Sequence, residues 1–256
     1  MTVRKTKKLN TVSQVSTVAS NQTLLMTDSN GATTRISLAD LKKSILGGMD
    51  LNAMEDGVFI MFHRKSDDYP LMIKPHLWGG HQTSGEIAEG VVIVEGGKIL
   101  VVAPTEAPTT LLWSNVAVSG GGKTTTDRLT ALDDWTGKTS TDAQVKHTEC
   151  QGNNFAPGFC HGYSRVNANK KGLVAGSWWL PSLGEMTMIY ANMTKVNYAL
   201  SLIKGAEPLQ ATAYWTSTES SATNAWRLTL GNGTASSYSA KAAAKYRVRA
   251  VSAFLR

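Results

Sequence analysis

The hydrophobic pattern of the chain is mainly that of short β-strands. After residue 50, GVFIMFHRKSDDYPLMIKPHLW predicts two strands around a polar turn, and EGVVIVEGGKILVVA predicts a hairpin that turns at residues 95–98. Further strands are predicted in YWTSTE, NAWRLTL and the alternating YRVRAVSAFL, with another strand or edge in APTTLLWSN. Residues 118–140 are rich in Gly, Thr and Asp and are expected to form a loop.

Two segments have helical rather than alternating spacing. TSTDAQVKHT predicts a short helix, and PSLGEMTMIYANMTKVNYALSLI predicts a long helix that starts at Pro181. The strands and helices together predict an α+β protein with short antiparallel strands, one or two helices and long loops.

The first 48 residues have a different character. Residues 1–20 are polar and basic and predict an arm. Strands are predicted at residues 23–26 and 33–36 around an Asp-Ser-Asn-Gly turn, followed by a helix that Ser37 caps and Gly47 and Gly48 end. Because one hairpin and one helix bury little surface, we expect this unit to dock or to oligomerise. The predicted divisions are 1–20, 21–48, a connecting β-hairpin region at 49–85, and the main domain at 86–256.

The net charge of +7 is concentrated at the two ends of the chain. Residues 1–47 carry seven Lys or Arg against two acidic residues, and residues 241–256 carry five basic residues and no acid. Nucleic-acid-binding proteins usually have a basic helix, or a basic groove interleaved with aromatic residues, and neither is visible here. We therefore expect a basic arm and a basic surface strand, and no nucleic-acid partner.

No apolar run approaches the roughly 20 residues that span a bilayer. No apolar segment follows the basic N-terminus as it would in a secretory signal. We therefore expect no membrane insertion, and a product that is made in the cytoplasm or exported by a route that needs no such signal.

No catalytic or cofactor-binding constellation is evident. SGGGKTTT at residues 119–126 resembles a phosphate-binding loop, but Ala117 stands where that pattern needs Gly, so a flexible surface loop is favoured. Cys150 and Cys160 are expected to be half-buried free thiols. A protein made in the cytoplasm keeps its thiols reduced, and two cysteines without a second pair do not complete a structural zinc site. The five histidines are dispersed, and no serine lies in a nucleophile elbow. We expect no enzyme activity, no metal and no cofactor.

Several motifs in the last 80 residues form an ordered series: W-x-L-P-S-x-G-E at residues 178–185, then YWTSTE, AWRL and RVRAVSAF. With this series the chain resembles the C-type-lectin-fold domains of phage tail proteins and of many gut Bacteroidetes proteins. Some of these domains are varied by a diversity-generating retroelement. The resemblance is loose over residues 86–256 and good over 176–254. Separately, TDSNGATTRISLADLKKSI resembles the N-terminal attachment segments of phage tail fibres.

The resemblance implies a virion protein, made in the host cytoplasm, that binds a bacterial cell-surface receptor. It also implies a homotrimer whose N-terminal segment contacts other tail proteins. Trp215 and Trp226 would hold the ends of a polar segment in the core, so that outward positions between and after them are free to vary. The outward, ligand-binding positions that it implies are Tyr214, Thr218, Ser220, Ser221, Thr223, Arg227, Thr229, Ser236, Ser237, Tyr238, Lys241, Lys245 and Tyr246.

Two alternatives stay open. The same face would dock a neighbouring subunit in a purely structural or adaptor protein of the virion. Formylglycine-generating enzymes share the fold and use a cysteine pair, which here would be Cys150 and Cys160. Lectins of this fold that bind sugar through Ca²⁺ use a Glu-Pro-Asn or Gln-Pro-Asp loop, but Leu209 follows Glu207 and Pro208 here, so no calcium site is expected.

Overall fold

The computed structural model describes residues 23–27, 33–37 and 55–254. In the N-terminal part, Thr23–Thr27 (β1) and Thr33–Ser37 (β2) pair antiparallel, with Thr23 opposite Ser37 and Thr27 opposite Thr33. These two strands confirm the predicted hairpin. The predicted basic arm and the helix that was expected to follow Ser37 lie outside the described residues.

Residues 55–254 form one compact α+β unit, as the sequence predicts. Its strands are Gly57–His63 (β3), Pro70–Ile73 (β4), Gly90–Glu95 (β5), Lys98–Val102 (β6), Arg165–Val166 (β7), Gly172–Leu173 (β8), Trp178–Trp179 (β9), Ala213–Glu219 (β10), Asn224–Thr229 (β11), Thr234–Ala240 (β12) and Val251–Ser252 (β13). Its α-helices are Trp78–Thr83 (α1), Arg128–Leu132 (α2), Gly137–Gln144 (α3), Ala156–Gly162 (α4), Leu183–Ala191 (α5) and Met193–Ser201 (α6).

The larger sheet has six strands in the order β4-β3-β5-β6-β13-β9, and neighbouring strands are antiparallel. Both predicted hairpins are present, and Glu95 pairs with Lys98 at the second turn. The predicted boundary near residue 85 is not observed, because β3 pairs with β5 from Gly57 opposite Val94 to Met61 opposite Gly90. The 49–85 region therefore contributes strands to the main domain instead of connecting to it.

The predicted long helix is two helices. Ser182, not Pro181, is the N-cap of α5, and its side chain and that of Glu185 form a reciprocal capping box. Asn192 separates α5 from α6, and its side-chain amide donates to the carbonyl oxygen of Met188 and to Glu95. A polar residue that bonds to the preceding turn in this way competes with continued helix formation.

The smaller sheet has three antiparallel strands in the order β10-β11-β12. Predicted strands YWTSTE and NAWRLTL are confirmed as β10 and β11. The polar run after the Gly-Asn-Gly turn is also a strand, β12. In contrast, the last alternating segment contains only the two-residue β13, and APTTLLWSN forms only isolated bridges from Leu111 and Leu112. The predicted loop at 118–140 contains α2 and the start of α3.

Tryptophans dominate the core. Trp78, Trp113, Trp178 and Trp215 are essentially inaccessible to solvent, and Trp226 is only 3% exposed. Trp226 joins the hydrophobic cluster that packs the two sheets against α5 and α6. This confirms that indole rings anchor the terminal segment. None of the helices in the described part of the chain combines the length and the apolar character needed to cross a bilayer.

Candidate functional site

The W-x-L-P-S-x-G-E motif is a structural junction. The carbonyl oxygen of Asp134 accepts from the Ser182 hydroxyl and from the Gly184 backbone N–H. The carboxylate of Asp134 accepts from Thr218 Oγ1 at 2.7 Å, and that oxygen accepts from the Leu183 N–H at 2.9 Å. These bonds connect α5 to β10 and to the segment before α3. The motif therefore holds the small sheet in place and presents no side chain for catalysis.

Glu185 lies inside this junction. Its Oε2 accepts from the Ser182 backbone N–H at 2.9 Å and from the Trp179 indole N–H at 3.0 Å. Burial raises the pKa of Glu185 to about 7, and these two hydrogen bonds oppose that shift only in part. Glu185 is only 5% exposed, so its carboxylate caps the helix and does not face a ligand.

The glycine-rich loop is occupied by a carboxylate of the protein itself. Glu219 accepts from the backbone N–H of Gly120 at 2.8 Å and of Gly122 at 3.1 Å. Lys241 donates to Glu219 Oε2 and to the carbonyl oxygen of Val118, with both charged side chains withdrawn from solvent. The N–H groups that would hold a phosphate are therefore already satisfied. These contacts argue against a phosphate-binding loop. The predicted surface position is confirmed, because all residues of the loop except Gly120 are exposed or partly exposed.

The glycines of this loop are needed for close packing. A β-carbon on Gly120 would come within 3.0 Å of Gln144, Trp113 and Glu219, and one on Gly122 would come within 2.9 Å of Gln144 and Ser140. Larger side chains would push the loop away from Glu219. Gly120 is thus required by the buried Glu219 beneath the loop, Gly122 by the neighbouring helix α3, and Gly121 by its positive φ of 80°.

Four of the thirteen predicted ligand-binding residues are buried, so their expected exposure is wrong. Tyr214, Thr218 and Lys241 have no exposed surface, and Ser220 is 7% exposed. Tyr214 donates to Glu106, Thr218 to Asp134, and Ser220 to the carbonyl oxygen of Ser237. Each polar side chain has an internal partner, which is what burial of polar groups requires.

The physical reason is the position of β10. From Tyr214 to Glu219 every residue of this strand is buried, so both faces are covered. One face meets the core, and the segments around Leu111 and Tyr246 cover the other. The register with β11 also shifts between Trp215 and Glu219, which breaks simple alternation. A polar sequence was therefore mistaken for a surface strand.

The other nine predicted residues reach the surface. Thr223, Tyr238 and Lys245 are exposed, Tyr238 to 89%, and the rest are partly exposed. Ser221 and Thr223 shape the turn between β10 and β11, because the Ser221 hydroxyl accepts from the backbone N–H of Thr223 and Asn224. The partly exposed residues are Ser221, Arg227, Thr229, Ser236, Ser237 and Tyr246.

Several of these residues share one side of the small sheet. Residues directly opposite each other on antiparallel strands project to the same side. The registers therefore give two rows, Ala213–Thr229–Thr234 and Trp215–Arg227–Ser236. We refer to the residues of these rows that reach solvent, together with Tyr246, as the outer face: Ala213, Arg227, Thr229, Thr234 and Ser236. Trp215 lies in the second row but is buried beneath Tyr246. The opposite side carries Tyr214, Trp226 and Leu228, which are in the core.

Tyr246 joins the outer face to the core. Its ring meets that of Trp215 edge to face at a centroid distance of 4.7 Å. The guanidinium of Arg227 lies 5.0 Å from the same ring and also donates to Thr229 Oγ1 at 2.9 Å. The arginine head is therefore held in a fixed orientation on an aromatic support.

A cleft of about 500 Å³ lies next to Tyr246. It is lined by Thr110, Gln210, Ala211, Thr212, Ala213, Lys245, Tyr246 and Arg247. Its volume falls within the range of small-molecule sites. Lys245, Tyr246 and Ala213 connect it to the outer face.

Beneath the cleft lies a buried carboxylate. Glu106 binds the guanidinium of Arg247, accepts from the Tyr214 hydroxyl at 2.8 Å, and lies 3.6 Å from Arg249. Burial raises the pKa of Tyr214 to about 12, so its hydroxyl stays protonated and donates. Arg247 is thereby anchored while 38% of its side chain remains exposed.

Sequence analysis missed Thr110, Gln210, Thr212 and Arg247 as site residues. A signal for Arg247 existed, because Arg-Val-Arg alternates around buried Val248 and places two guanidinium groups on one side. Thr110 and Gln210 come from distant loops that only the tertiary structure brings to the cleft.

Cys150 and Cys160 are free and fully buried, more deeply than the half-burial predicted. Burial raises the pKa of Cys150 to about 12 and that of Cys160 well above its ordinary value. Thiols in this state are poor nucleophiles, which argues against thiol chemistry at this pair. Within residues 55–254 and the described hairpin, no three His, Cys, Asp or Glu side chains converge to hold a metal ion.

Comparison with known proteins assigns this chain to no family. No protein-family model matches it, and neither does any curated protein. Among solved structures it is similar to a fimbrial protein from Bacteroides ovatus, with a TM-score of 0.42 and 16% sequence identity. That similarity covers 60% of this chain but only 35% of the fimbrial protein. A likeness at this level indicates neither a family nor a function.

Proposed function

We propose that the chain is a binding protein of a phage tail fibre, and that its outer face attaches to a receptor on the bacterial surface. In this proposal residues 55–254 are a C-type-lectin-like domain, and the segment around β1 and β2 joins it to other tail proteins. The ordered motifs between Trp178 and Phe254 support the assignment to this family. The separate resemblance of residues 27–45 to tail-fibre attachment segments supports the location in the virion.

One observation carries the binding role: on β11, buried inner residues alternate with outer residues that reach solvent. Trp226 and Leu228 on the inner side are 3% and 2% exposed. Arg227 and Thr229, which alternate with them, are partly exposed and belong to no core cluster. Side chains in such positions can change without loss of the fold, as a variable recognition surface requires.

The nature of the outward side chains also suits recognition. Tyrosine and arginine offer rigid contact area, while serine and threonine adapt their hydrogen bonds to different ligands. Contacts at one copy would be weak, and a homotrimer would multiply them through avidity, by a factor on the order of 10²–10⁴.

Attachment of the purified, fluorescently labelled chain to a panel of bacterial isolates tests this proposal. Ser236→Trp places a bulky ring on the outer face, and Thr194→Trp places the same ring on exposed α6 as a matched control. We expect Ser236→Trp to reduce attachment at least tenfold and Thr194→Trp to leave it unchanged, with similar melting temperatures. Equal attachment by the two variants would show that the outer face is not the receptor site.

The adaptor alternative gives a different result in assembled particles. If the outer face docks a neighbouring subunit, Arg227 and Tyr246 are protected from arginine- and tyrosine-labelling reagents in the particle and accessible in the free chain. A receptor face would be labelled equally in both.

A further inference from the structure

The cleft beside the outer face is lined by basic residues without acidic ones, unlike two other clefts of the described structure. Two of its eight lining residues, Lys245 and Arg247, are cationic, and none is acidic. Two other clefts of the described structure pair Lys98 with Glu95, and Lys123 with Asp133 and Asp134. Because Arg247 also contacts the buried carboxylate of Glu106, the uncompensated positive charge of the cleft is that of Lys245, which favours an anionic group there.

The cations of this region are unequally compensated. Lys241, Arg247 and Arg249 all contact buried carboxylates. Arg227 and Lys245 have no carboxylate partner within the described residues. Within the described part of the C-terminal segment, the exposed cation without a carboxylate partner is therefore Lys245, and the guanidinium of Arg227 lies 5.0 Å from the ring of its chain neighbour Tyr246.

Arg227 is oriented but not satisfied. Its ring contact with Tyr246 and its bond to Thr229 Oγ1 fix the head, yet its Nε is buried without a hydrogen-bond partner. Holding an arginine in this way costs conformational entropy and desolvation. The Nε is out of reach of solvent, so what suits the carboxylate or phosphate oxygens of a ligand is the charge of a guanidinium that is already positioned and has no carboxylate partner.

The rest of the lining suits a sugar. Thr110, Gln210 and Thr212 supply hydroxyl and amide groups around the cleft, and Tyr246 supplies an aromatic ring beside them. A cleft of about 500 Å³ has room for one or a few sugar residues and is too small for a folded partner. We infer that this cleft, with Arg227 held against the ring of its lining residue Tyr246, binds a sugar residue bearing an anionic substituent, as part of an acidic surface polysaccharide. This inference rests on the proposed function and names its ligand class.

Calorimetric titration of the whole chain with defined oligosaccharides tests the inference. The probes are trigalacturonate, its neutral methyl ester, a phosphorylated mannotriose and, as a different class, pentaglutamate. We expect one or both anionic sugars to bind, about tenfold or more tighter than the methyl ester, and more weakly as ionic strength rises. Comparison of trigalacturonate with the phosphorylated mannotriose shows whether the cleft prefers a carboxylate or a phosphate group.

Substitutions locate the binding. Arg227→Gln and Lys245→Gln should each weaken binding of the anionic sugar about tenfold, the usual loss for one charge-assisted hydrogen bond. Arg128→Gln and Lys195→Gln remove exposed charges elsewhere and should leave it unchanged. Since Lys245 is exposed, its variant remains informative even if Arg227→Gln lowers stability.

The inference would be overturned if neither anionic sugar bound more tightly than the methyl ester, if none of these sugars bound, or if pentaglutamate were preferred. These results are separable from failure of the proposed function. Suppose that Ser236→Trp reduces attachment to bacteria, but that neither ionic strength nor Lys245→Gln changes it. The receptor role then stands and the acidic-sugar inference fails. If Ser236→Trp also has no effect on attachment, the proposed function fails as well.

Discussion

Gly137, the first residue of α3, packs directly against the buried carboxylate of Glu185 in α5. A β-carbon at Gly137 would overlap Glu185 Oε2 and would stand 2.8 Å from the indole of Trp179. The Trp-Thr-Gly motif before α3 and the W-x-L-P-S-x-G-E motif before α5 are therefore two halves of one contact. Their residues are determined by close packing around a buried acid.

Gly137→Ala should be strongly destabilising. Overpacking of a rigid site costs roughly 1–3 kcal/mol, and here the neighbours are a helix cap and an indole with little room to move. Gly80→Ala in exposed α1 is the matched control, because a β-carbon there meets nothing within 4 Å. We expect Gly80→Ala to raise the free energy of unfolding by up to about 1 kcal/mol. Urea denaturation of both variants measures the difference, and equal effects would contradict the packing account.

The buried acid should also make stability depend on pH. In the unfolded chain Glu185 loses its proton near its ordinary pKa of 4.5, but in the folded protein it does so only near 7. The folded state therefore holds more protons between these values, and the free energy of unfolding falls as pH rises through this window. The total change is about 3 kcal/mol.

Glu185→Gln isolates this effect, because an amide oxygen can accept the same two hydrogen bonds without titrating. The free energy of unfolding of the wild type minus that of the variant should decrease from about pH 4.5 to 7 and then level off. Denaturation curves across that range test it. A difference that stays constant with pH would show that Glu185 titrates normally.

Removing one charge of the Lys241–Glu219 pair should lower the free energy of unfolding far more than removing both charges. Lys241→Met leaves a buried carboxylate with only backbone donors and should lower the free energy of unfolding by roughly 3–5 kcal/mol. Adding Glu219→Gln should recover part of that loss, since the amide still accepts from Gly120 or Gly122. A double-mutant cycle measures the coupling. Strictly additive effects would argue against a direct buried pair.

Both cysteine thiols should be inert in the folded protein. Burial disfavours the thiolate of Cys150 and Cys160, and the thiolate is the reactive form. A disulfide reagent that releases a coloured thiol should detect neither in the native state and both after unfolding. Rapid reaction of one thiol in the folded state would instead point to an accessible nucleophile and revive the enzyme alternative.

Buried and exposed aromatic residues of the small sheet should differ sharply in how much their replacement by alanine lowers the free energy of unfolding. Trp226→Ala removes a buried indole and should cost roughly 3–5 kcal/mol of unfolding free energy. Tyr238→Ala removes a ring that is 89% exposed and should change stability by no more than about 0.5 kcal/mol. Thermal unfolding compares the two, and a large loss for Tyr238→Ala would indicate packing that exposure does not reveal.

Much of the fold could be predicted because it depends on local pattern. The two apolar runs on either side of the Glu-Gly-Gly-Lys turn were enough to predict β5 and β6, and the Ser-x-x-Glu spacing marks the start of α5. The strong burial of Trp215 and Trp226 also follows from residue type, because so large an apolar surface is costly to leave in water.

The candidate site was only partly predictable. Arg227, Lys245 and Tyr246 were correctly placed at the surface, but Tyr214, Thr218, Ser220 and Lys241 were not. Alternation says which residues share a side of a strand and nothing about what covers that side. Buried partners such as Glu106 and Asp134 lie far away in the chain, so no local rule pairs them with these side chains.

The sequence by itself determined the α+β fold class, the hairpins β3–β4 and β5–β6, and the burial of the indole rings, because each follows from the pattern of apolar residues or from the size of one side chain. Tertiary structure alone decided that β10 is central, that Glu219 fills the glycine loop, and that Thr110, Gln210 and Lys245 share a cleft. These features depend on which distant segments meet. The hydrophobic effect drives burial without direction, and the pairing of buried charges and hydrogen bonds then selects one arrangement.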